Sequence, residues 1–123
     1  MRPEVRARLA DGLRNHPTTL ALLALREATP VGVAICFLGF STFNARPLLN
    51  IHDLAVVPEW RRQGIGKALL AAAEAEAIRR GCCKITLEVQ DDNRRARGLY
   101  ERTGFTDFVV GASGPTRFLC KPL

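Results

Sequence analysis

The sequence lacks the features that mark several protein classes. No apolar run reaches the roughly 18 residues that a membrane-spanning helix needs. No basic segment followed by an apolar core opens the chain, as it would in a secretory precursor. These absences argue against a membrane or secreted protein, and we expect a cytoplasmic one. At 123 residues the chain is long enough for one core, so residues 1–123 are predicted to form a single domain.

Aromatic residues are also scarce, at 7 % of the chain, with one Trp and one Tyr. Lys and Arg number 18 against 12 Asp and Glu, which gives a net charge of +6. A nucleic-acid surface would gather those cations into a stripe interleaved with aromatics, but here they are dispersed arginines. We therefore expect a solvated surface with one local anion site, and no nucleic-acid partner.

Metal-binding patterns are missing as well. The four cysteines form no C-x-x-C pair, and only two histidines could assist them, so no metal site is predicted. Three of the four cysteines lie in apolar, strand-like segments, and all are expected to be reduced core thiols: Cys36, Cys82, Cys83 and Cys120.

Apolar spacing predicts the first half of the fold. Val5, Leu9 and Leu13 lie four apart, which indicates an amphipathic helix over residues 4–15, ended by Pro17. Strands are predicted over 18–27, 31–43 and 48–57, with a turn at 29–32 between the first two. The third strand is almost continuously apolar, as expected of an interior strand covered on both faces.

The second half predicts a strand–helix–strand unit. Helix periodicity runs from Gly64 to Gly81, and a strand follows over 83–89. A right-handed crossover with parallel neighbouring strands is expected from that order. A short helix over 93–102, closed by Gly104, precedes a final hairpin of "FTDFVV" and "TRFLCKP" around "GASGP". The whole predicts a mixed α+β sheet with helices packed on it.

The stretch "VVPEWRRQGIGK", residues 56–67, predicts an anion site. A strand that runs directly into a helix leaves backbone N–H groups unpaired at the helix N-terminus, where the helix dipole favours negative charge. Gly64 and Gly66 let a phosphate approach the backbone closely, and Arg61, Arg62 and Lys67 add charge. The alternative is a glycine-containing turn with solvated arginines. A pyrophosphate is the ligand that fits best.

Two familiar phosphate motifs are excluded by inspection. A P-loop needs Gly and then Ser or Thr where Arg61 and Ala68 stand, and a dinucleotide fingerprint needs a third Gly where Leu69 stands. The sequence instead resembles the GNAT superfamily of N-acetyltransferases. The family's phosphate motif reads Arg or Gln, two residues, Gly, one residue, then Gly or Ala. Arg61, Gly64 and Gly66 match it. Its later signature is matched by Asn93, Ala96, Leu99, Tyr100, Gly104 and Phe105.

The resemblance implies acetyl-CoA as cofactor. The pantetheine arm would pair with the backbone of Leu54, Ala55 and Val56 like an added strand, where this strand splays from the next. Asn93 would contact the cofactor, or it would serve as a plain helix N-cap. The diphosphate would lie on the turn and the first residues of the helix: Arg61, Arg62, Gln63, Gly64, Ile65, Gly66 and Lys67.

The resemblance also implies transfer of an acetyl group to a primary amine of a small molecule or a peptide. Parts of the sequence resemble the diamine and polyamine branch, and others the branch that acetylates protein N-termini. Tyr100, by its motif position, would be the general acid that protonates the leaving thiolate. His52 is the first candidate for the base, with Asp53 and Glu88 as alternatives. His52 stands where polyamine-type relatives carry Glu, which weakens the case for polyamine specificity.

The pattern departs from the family at its start. The first strand and first helix expected of the family have no counterpart, so the predicted fold is N-terminally shortened. The strand over 18–27 is left with an unpaired edge: either the sequence is a natural or cloned truncation, or a second copy of the chain covers that edge in a homodimer. A different class of function remains open: a catalytically idle module of this fold that binds acyl-CoA or oligomerises.

Overall fold

The computed structural model describes residues 1–109, 111–112, 114 and 116–123. They form two compact units, Met1–Glu88 and Val89–Leu123. The first unit carries a four-stranded mixed sheet and two α-helices, and the second carries one helix. The predicted α+β class with a mostly antiparallel sheet is confirmed, and the single domain over 1–123 stays a prediction.

Helix α1, Pro3–Asn15, is close to the predicted range. Pro3 occupies the first turn, where its missing N–H has no helical partner to lose. His16, which precedes Pro17, has an extended backbone that ends the helix. No residue of α1 is buried, and Leu9 in its apolar stripe stays 43 % exposed. The helix therefore contributes little to the core.

Strands β1, Thr19–Arg26, and β2, Thr29–Ser41, form the predicted antiparallel pair, but the turn predicted at 29–32 is wrong. Arg26 pairs with Thr29, so the turn consists of Glu27 and Ala28 alone. Both have positive φ, 50° and 78°. Two positive φ angles suit a tight hairpin, because such turns match the twist of the strands. Glu and Ala do not favour positive φ, so the sequence does not predict this turn.

Strand β3, Arg46–Val56, is antiparallel to β2, and β4, Ile85–Leu87, is parallel to β3. The sheet order is β1-β2-β3-β4. A 3-10 turn, Pro58–Trp60, follows β3 and was not predicted. Strand β4 is shorter than its predicted range 83–89, because the first residues of that range belong to the connection from the preceding helix.

Helix α2, Ile65–Arg79, ends as predicted at Gly81, which has a φ of +75°. The N–H groups of Gly81 and Cys82 donate to the carbonyls of Ile78 and Ala77 at 3.0 and 2.9 Å. This is the Schellman arrangement, in which a left-handed residue lets the chain turn back onto the last helical carbonyls. It explains why Cys82 lies in the helix cap rather than in a strand.

The core of the first unit lies between α2 and one face of the sheet. Small residues on both sides bring them close: a Cβ on Gly32 would lie 3.0 Å from Ile65 Cγ2 and 3.2 Å from Leu69 Cδ1. Ala34, Ala73 and Ala77 are also buried in this layer, so the helix and the strands can pack closely. The buried apolar residues are Val31, Ala34, Cys36, Leu49, Ile51, Leu69, Leu70, Ala73 and Ala77.

The cysteines are free thiols, but only Cys36 is buried in the core. Burial raises the pKa of that thiol to about 11, which makes it a poor nucleophile. Cys82 and Cys83 are half-buried and Cys120 is exposed, so the expectation that they are core residues is wrong. None of the described helices is long and apolar enough to cross a membrane. The cytoplasmic location stays a prediction.

The second unit carries helix α3, Arg94–Arg102, as predicted over 93–102. The hairpin predicted after it stays a prediction: within residues 105–109 and 116–123 the structure shows a β-bridge at Val109 and no longer strand. The Thr116 N–H donates to the Phe108 carbonyl at 2.9 Å, which joins the two predicted strands of this hairpin. Residues 110, 113 and 115 of the predicted hairpin lie outside the described part of the chain.

Candidate active site

A β-bulge in β3 places two candidate bases on the same side of the sheet. Ile35 pairs with Asp53 and Cys36 pairs with Ile51, so His52 is the extra residue. Directly paired residues share a face. Cys36 and Ile51 are buried on the side of α2, whereas His52 and Asp53 are both exposed. We call the side away from α2 the far face of the sheet.

His52 is therefore not a core histidine. Its ring lies edge-on to Phe37, with ring centroids 5.7 Å apart, and Phe37 in turn meets His16 at 5.2 Å. The three rings form a row along the far face. Sequence reasoning missed Phe37 and His16, because no local signal connects them to His52 before the strand register is known.

Strand β3 leaves β4 at the bulge. The two strands pair only from Leu49 to Ile51, opposite Ile85–Leu87. Beyond that point Leu54, Ala55 and Val56 pair with β2 alone among the described strands. The chain thus presents a strand edge of the kind that an amide-bearing arm can extend as an added strand. That contact with the pantetheine arm, for which sequence reasoning selected these three residues, stays a prediction.

The turn between β3 and α2 has an unusual backbone. Arg62 has a φ of +64° and Gly64 a φ of +81°. Gly64 is the N-cap of α2 and no side chain caps the helix. A Cβ on Gly64 would meet nothing within 4 Å, so open space lies in front of the helix N-terminus. Left-handed backbone at a residue with a side chain costs about 1–2 kcal/mol, which marks Arg62 as strained.

The backbone N–H groups at the start of α2 are free to bind an anion. The first of them to find a helical acceptor is that of Ala68, which donates to the Gly64 carbonyl at 2.9 Å. In the described part of the chain the N–H groups of Ile65, Gly66 and Lys67 have no backbone acceptor within hydrogen-bond distance. Three converging donors at a positive helix end suit a phosphate group.

The arginines around this turn differ in their surroundings. Arg61 Nε donates to the Val56 carbonyl at 3.1 Å, which ties the turn to the end of β3. Arg62, Gln63 and Lys67 are exposed and supply polar or charged side chains to the same surface. The turn therefore combines free amides with at least two solvent-facing cations.

Trp60, the only tryptophan, fixes the start of the same loop. Its ring lies under the guanidinium of Arg26, with Cζ 4.7 Å from the ring centroid. Such a cation–π contact contributes about 0.5–1 kcal/mol at a partly exposed site. The contact connects the end of β1 to the 3-10 turn that precedes the anion site.

The second unit holds the candidate acid. Tyr100 is half-buried in α3, and its ring packs edge-on against Phe105 with centroids 5.8 Å apart. Burial raises the pKa of the Tyr100 phenol above its ordinary value, so the hydroxyl stays protonated at neutral pH and can donate. Its assignment as general acid stays a prediction.

Asn93 caps α3. Its Oδ1 accepts a hydrogen bond from the Ala96 N–H at 3.2 Å. Of the two roles considered for Asn93, cofactor contact or helix N-cap, this hydrogen bond is that of an N-cap. Glu88, the third candidate base, is exposed beyond the end of β4. No group of three His, Cys, Asp or Glu side chains that could hold a metal ion occurs among the described residues.

Sequence comparison decides the family. The sequence model of the acetyltransferase (GNAT) family matches residues 1–105. This chain belongs to the GNAT family. The resemblance carried by the Arg-Gly-Gly turn and the Asn-to-Phe signature is thereby confirmed, and acetyl-CoA is the coenzyme of this GNAT family.

Two curated relatives and one solved structure are similar to this GNAT chain. The uncharacterized N-acetyltransferase YhfO of Bacillus subtilis (strain 168) is 34 % identical over 95 residues, 77 % of this chain and 63 % of YhfO. Thialysine N-epsilon-acetyltransferase of Bos taurus is 32 % identical over 108 residues, 81 % of this chain and 63 % of that protein. The chain thus spans 63 % of the length of both curated relatives.

The fold agrees with the family assignment. The crystal structure of an aminoglycoside acetyltransferase from an uncultured soil metagenomic sample, in complex with sisomicin, has a TM-score of 0.76 to this GNAT chain. Its sequence is 25 % identical, and the match covers 90 % of this chain and 74 % of that one. The four-stranded sheet and three helices are therefore a shortened GNAT fold.

Proposed function

We propose that this chain transfers the acetyl group of acetyl-CoA to a primary amine of a small molecule or a peptide. The observation that carries the proposal is the junction of β3 and α2. There a strand segment, Leu54–Val56, pairs on one side only among the described strands and leads through the 3-10 turn and residues 61–64 to a helix start with three unpaired N–H groups. The free edge suits the amides of a pantetheine arm, and the helix start suits the diphosphate at its end.

Membership in the GNAT family supports the transfer chemistry. An alkyl ammonium, with a pKa near about 10.4, must first lose a proton to become a nucleophile. His52 is exposed on the far face and is the first candidate to accept that proton, directly or through water; Asp53 and Glu88 are the alternatives. The free amine then attacks the thioester carbonyl and forms the C–N bond. Backbone N–H groups near the β3–β4 divergence would stabilise the oxyanion.

Collapse of the oxyanion breaks the C–S bond and releases the thiolate of CoA. In the proposed mechanism the Tyr100 hydroxyl gives its proton to that sulfur, and solvent restores it. The motif position of Tyr100 supports the assignment, and its phenol, whose pKa burial raises, holds its proton at neutral pH until the thiolate appears. The products are the acetylated amine and CoA.

Coenzyme binding tests the proposal first. Trp60 precedes the turn, so its fluorescence should change when CoA binds, and calorimetry provides an independent affinity. Pantetheine, which lacks the diphosphate, is the matched control and should bind at least tenfold more weakly. Equal affinities for CoA and pantetheine, or no heat with either, would contradict a diphosphate site at α2.

Turnover tests the chemistry. Release of CoA thiol with a panel of amines should be seen for the natural sequence. Tyr100→Phe should lower kcat by about 10² or more and leave the affinity for CoA within twofold. Phe105→Leu is the control, because it disturbs the ring contact of Tyr100 but keeps the phenol, and it should retain most of kcat. Full activity in Tyr100→Phe would remove the acid assignment. CoA binding without turnover of any amine would favour the idle module.

We also propose that two copies of the chain associate through β1. This strand lies at the edge of the sheet, and Leu23 and Leu25 are 60 % and 55 % exposed. An exposed apolar edge strand is prone to pair with another chain unless something covers it. Light scattering should give twice the 13.5 kDa of one chain. A single-chain mass at working concentration, without aggregation, would contradict the dimer.

A further inference from the structure

An open pocket lies on the far face of the sheet, beneath α1. Its volume is about 260 Å³. It exists because α1 buries none of its residues, so the apolar stripe of the helix does not close onto β2. The lining residues are Val5, Arg8, Leu9, Gly12, Leu13, His16 and Phe37.

The lining selects by polarity. Four of its side chains are aliphatic or aromatic, and none is a carboxylate. Its charged member is Arg8, whose Nε donates to the Glu4 carbonyl at 3.2 Å. Arg8 repels a second cation, and no lining acid would compensate an ammonium group placed in the pocket. An uncharged, apolar group is the occupant that this lining favours.

The volume sets the size of that group. A dry cavity of about 150 Å³ accommodates benzene in other proteins. A pocket of about 260 Å³ therefore has room for a phenyl ring or a branched alkyl chain with one or two linking carbons. Larger polar amines, with several hydroxyl or ammonium groups, would lose hydration here without gaining partners.

The pocket is connected to the candidate base by a shared wall. The ring of Phe37 lines the pocket and lies edge-on to His52 at 5.7 Å, while His16 closes its other side at 5.2 Å. Thr18 holds the His16 ring, with its hydroxyl 3.2 Å from Nδ1. A group seated against Phe37 is thus one ring away from the residue proposed to deprotonate an amine.

We propose that this pocket binds the apolar part of the acceptor, an aryl or branched alkyl group, and thereby selects monoamines that carry such a group over polyamines and other multiply cationic amines. The inference rests on the proposed acetyl transfer for its meaning, but the pocket can be tested without turnover. Phe37 is then a positioning residue, since it holds the acceptor beside His52 through its ring.

Gly12 offers a variant that fills the pocket without disturbing the core. A Cβ at this position would meet nothing within 4 Å, and the residue lies in the last turn of α1. Gly12→Leu therefore adds a side chain to open space and also improves helix propensity. Ala10→Leu is the matched control, because it adds a comparable leucine to the exposed surface of the same helix without lining the pocket.

The first measurement is binding, by calorimetry of 2-phenylethylamine to the CoA-saturated protein. The natural sequence and Ala10→Leu should bind it alike, and Gly12→Leu should bind it about tenfold more weakly. Absence of binding to the natural sequence at millimolar amine, or equal binding by Gly12→Leu, would overturn the inference. Thermal unfolding checks that both variants are folded.

The second measurement is selectivity in turnover. We expect kcat/KM for 2-phenylethylamine to exceed that for 1,4-diaminobutane at least tenfold. Gly12→Leu should lose about tenfold with 2-phenylethylamine, mainly through KM, and Ala10→Leu should keep its rate with the same amine within twofold. Turnover with no such preference overturns the pocket and leaves acetyl transfer intact. Pocket-dependent binding with no turnover of any amine supports the pocket and overturns the proposed reaction.

Discussion

Helix α2 has a glycine with positive φ at each end. Comparing substitutions at the two glycines isolates the contribution of the anion site to coenzyme affinity. Gly64 has a φ of +81° and Gly81 a φ of +75°. A Cβ would meet no atom within 4 Å at either position. Substitution by Ala therefore imposes the same backbone strain at both ends, with no steric clash. Only Gly64 adjoins the unpaired N–H groups of the proposed diphosphate site.

The expected stability loss follows from that strain. Left-handed backbone costs an L-residue about 1–2 kcal/mol, so Gly64→Ala and Gly81→Ala should lose similar free energies of unfolding. An unfolding entropy of about 2.1 cal/mol/K per residue corresponds to a shift of roughly 4 °C per kcal/mol at this chain length. We expect both variants to melt roughly 4–8 °C below the natural sequence in calorimetry without ligand.

Coenzyme affinity should separate the two variants. The Cβ of Gly64→Ala would project into the space where a phosphate must meet the amides of α2. Loss of one hydrogen bond to a charged group costs about 1.5–3 kcal/mol, which is roughly a 10- to 100-fold weaker Kd for CoA. Gly81→Ala should keep its Kd within twofold. Equal Kd values for the two variants would refute a phosphate site at this turn, even if both melt early.

Two further predictions concern stability. Ala28→Gly should raise the melting temperature by about 4 °C, because it removes about 1 kcal/mol of left-handed backbone strain from the tight turn between β1 and β2. Ala75→Gly in α2 is the control and should lower the melting temperature by a similar amount. The hydrogen bond from Arg79 lowers the pKa of Glu76, and Arg80 is a second donor to the same carboxylate. The folded state therefore gains stability at a pH above the unfolded pKa of about 4.3. It loses that stability as the pH falls through the lowered pKa of the folded state. Glu76→Gln should therefore melt earlier than the natural sequence at pH 7 but not in acid, and Glu74→Gln should show no such pH dependence.

The element order could be predicted because long segments carry one clear period each. The stripe of α1 and the glycine that ends α2 are local signals, and the structure places both within one or two residues of the prediction. The hairpin turn was misplaced because Thr29 and Pro30 suit a turn by composition, whereas the strand register puts them in β2. Register depends on partners distant in sequence, so local propensity does not determine it.

Some features of the candidate site could also be predicted from the sequence, and others could not. The glycine pattern indicated the anion site, because free amides at a helix start follow from the order of strand and helix. The bulge at His52 was not predictable, because an extra residue in a strand is defined only by what lies opposite it. For the same reason the exposure of His52, its contact with Phe37 and the pocket under α1 appeared only with the fold.

The bulge also makes the two halves of β3 run out of phase. Before it, Ile51 points toward α2; after it, Leu54 and Val56 do so, opposite Ala34 and Gly32. Without the bulge, regular alternation beyond Ile51 would turn the Asp53 carboxylate into the hydrophobic layer under α2 and Leu54 away from it. Substitutions at His52 are compatible with the core, because its side chain is exposed on the far face. The side chain at this position can thus change without altering which residues of β3 face α2.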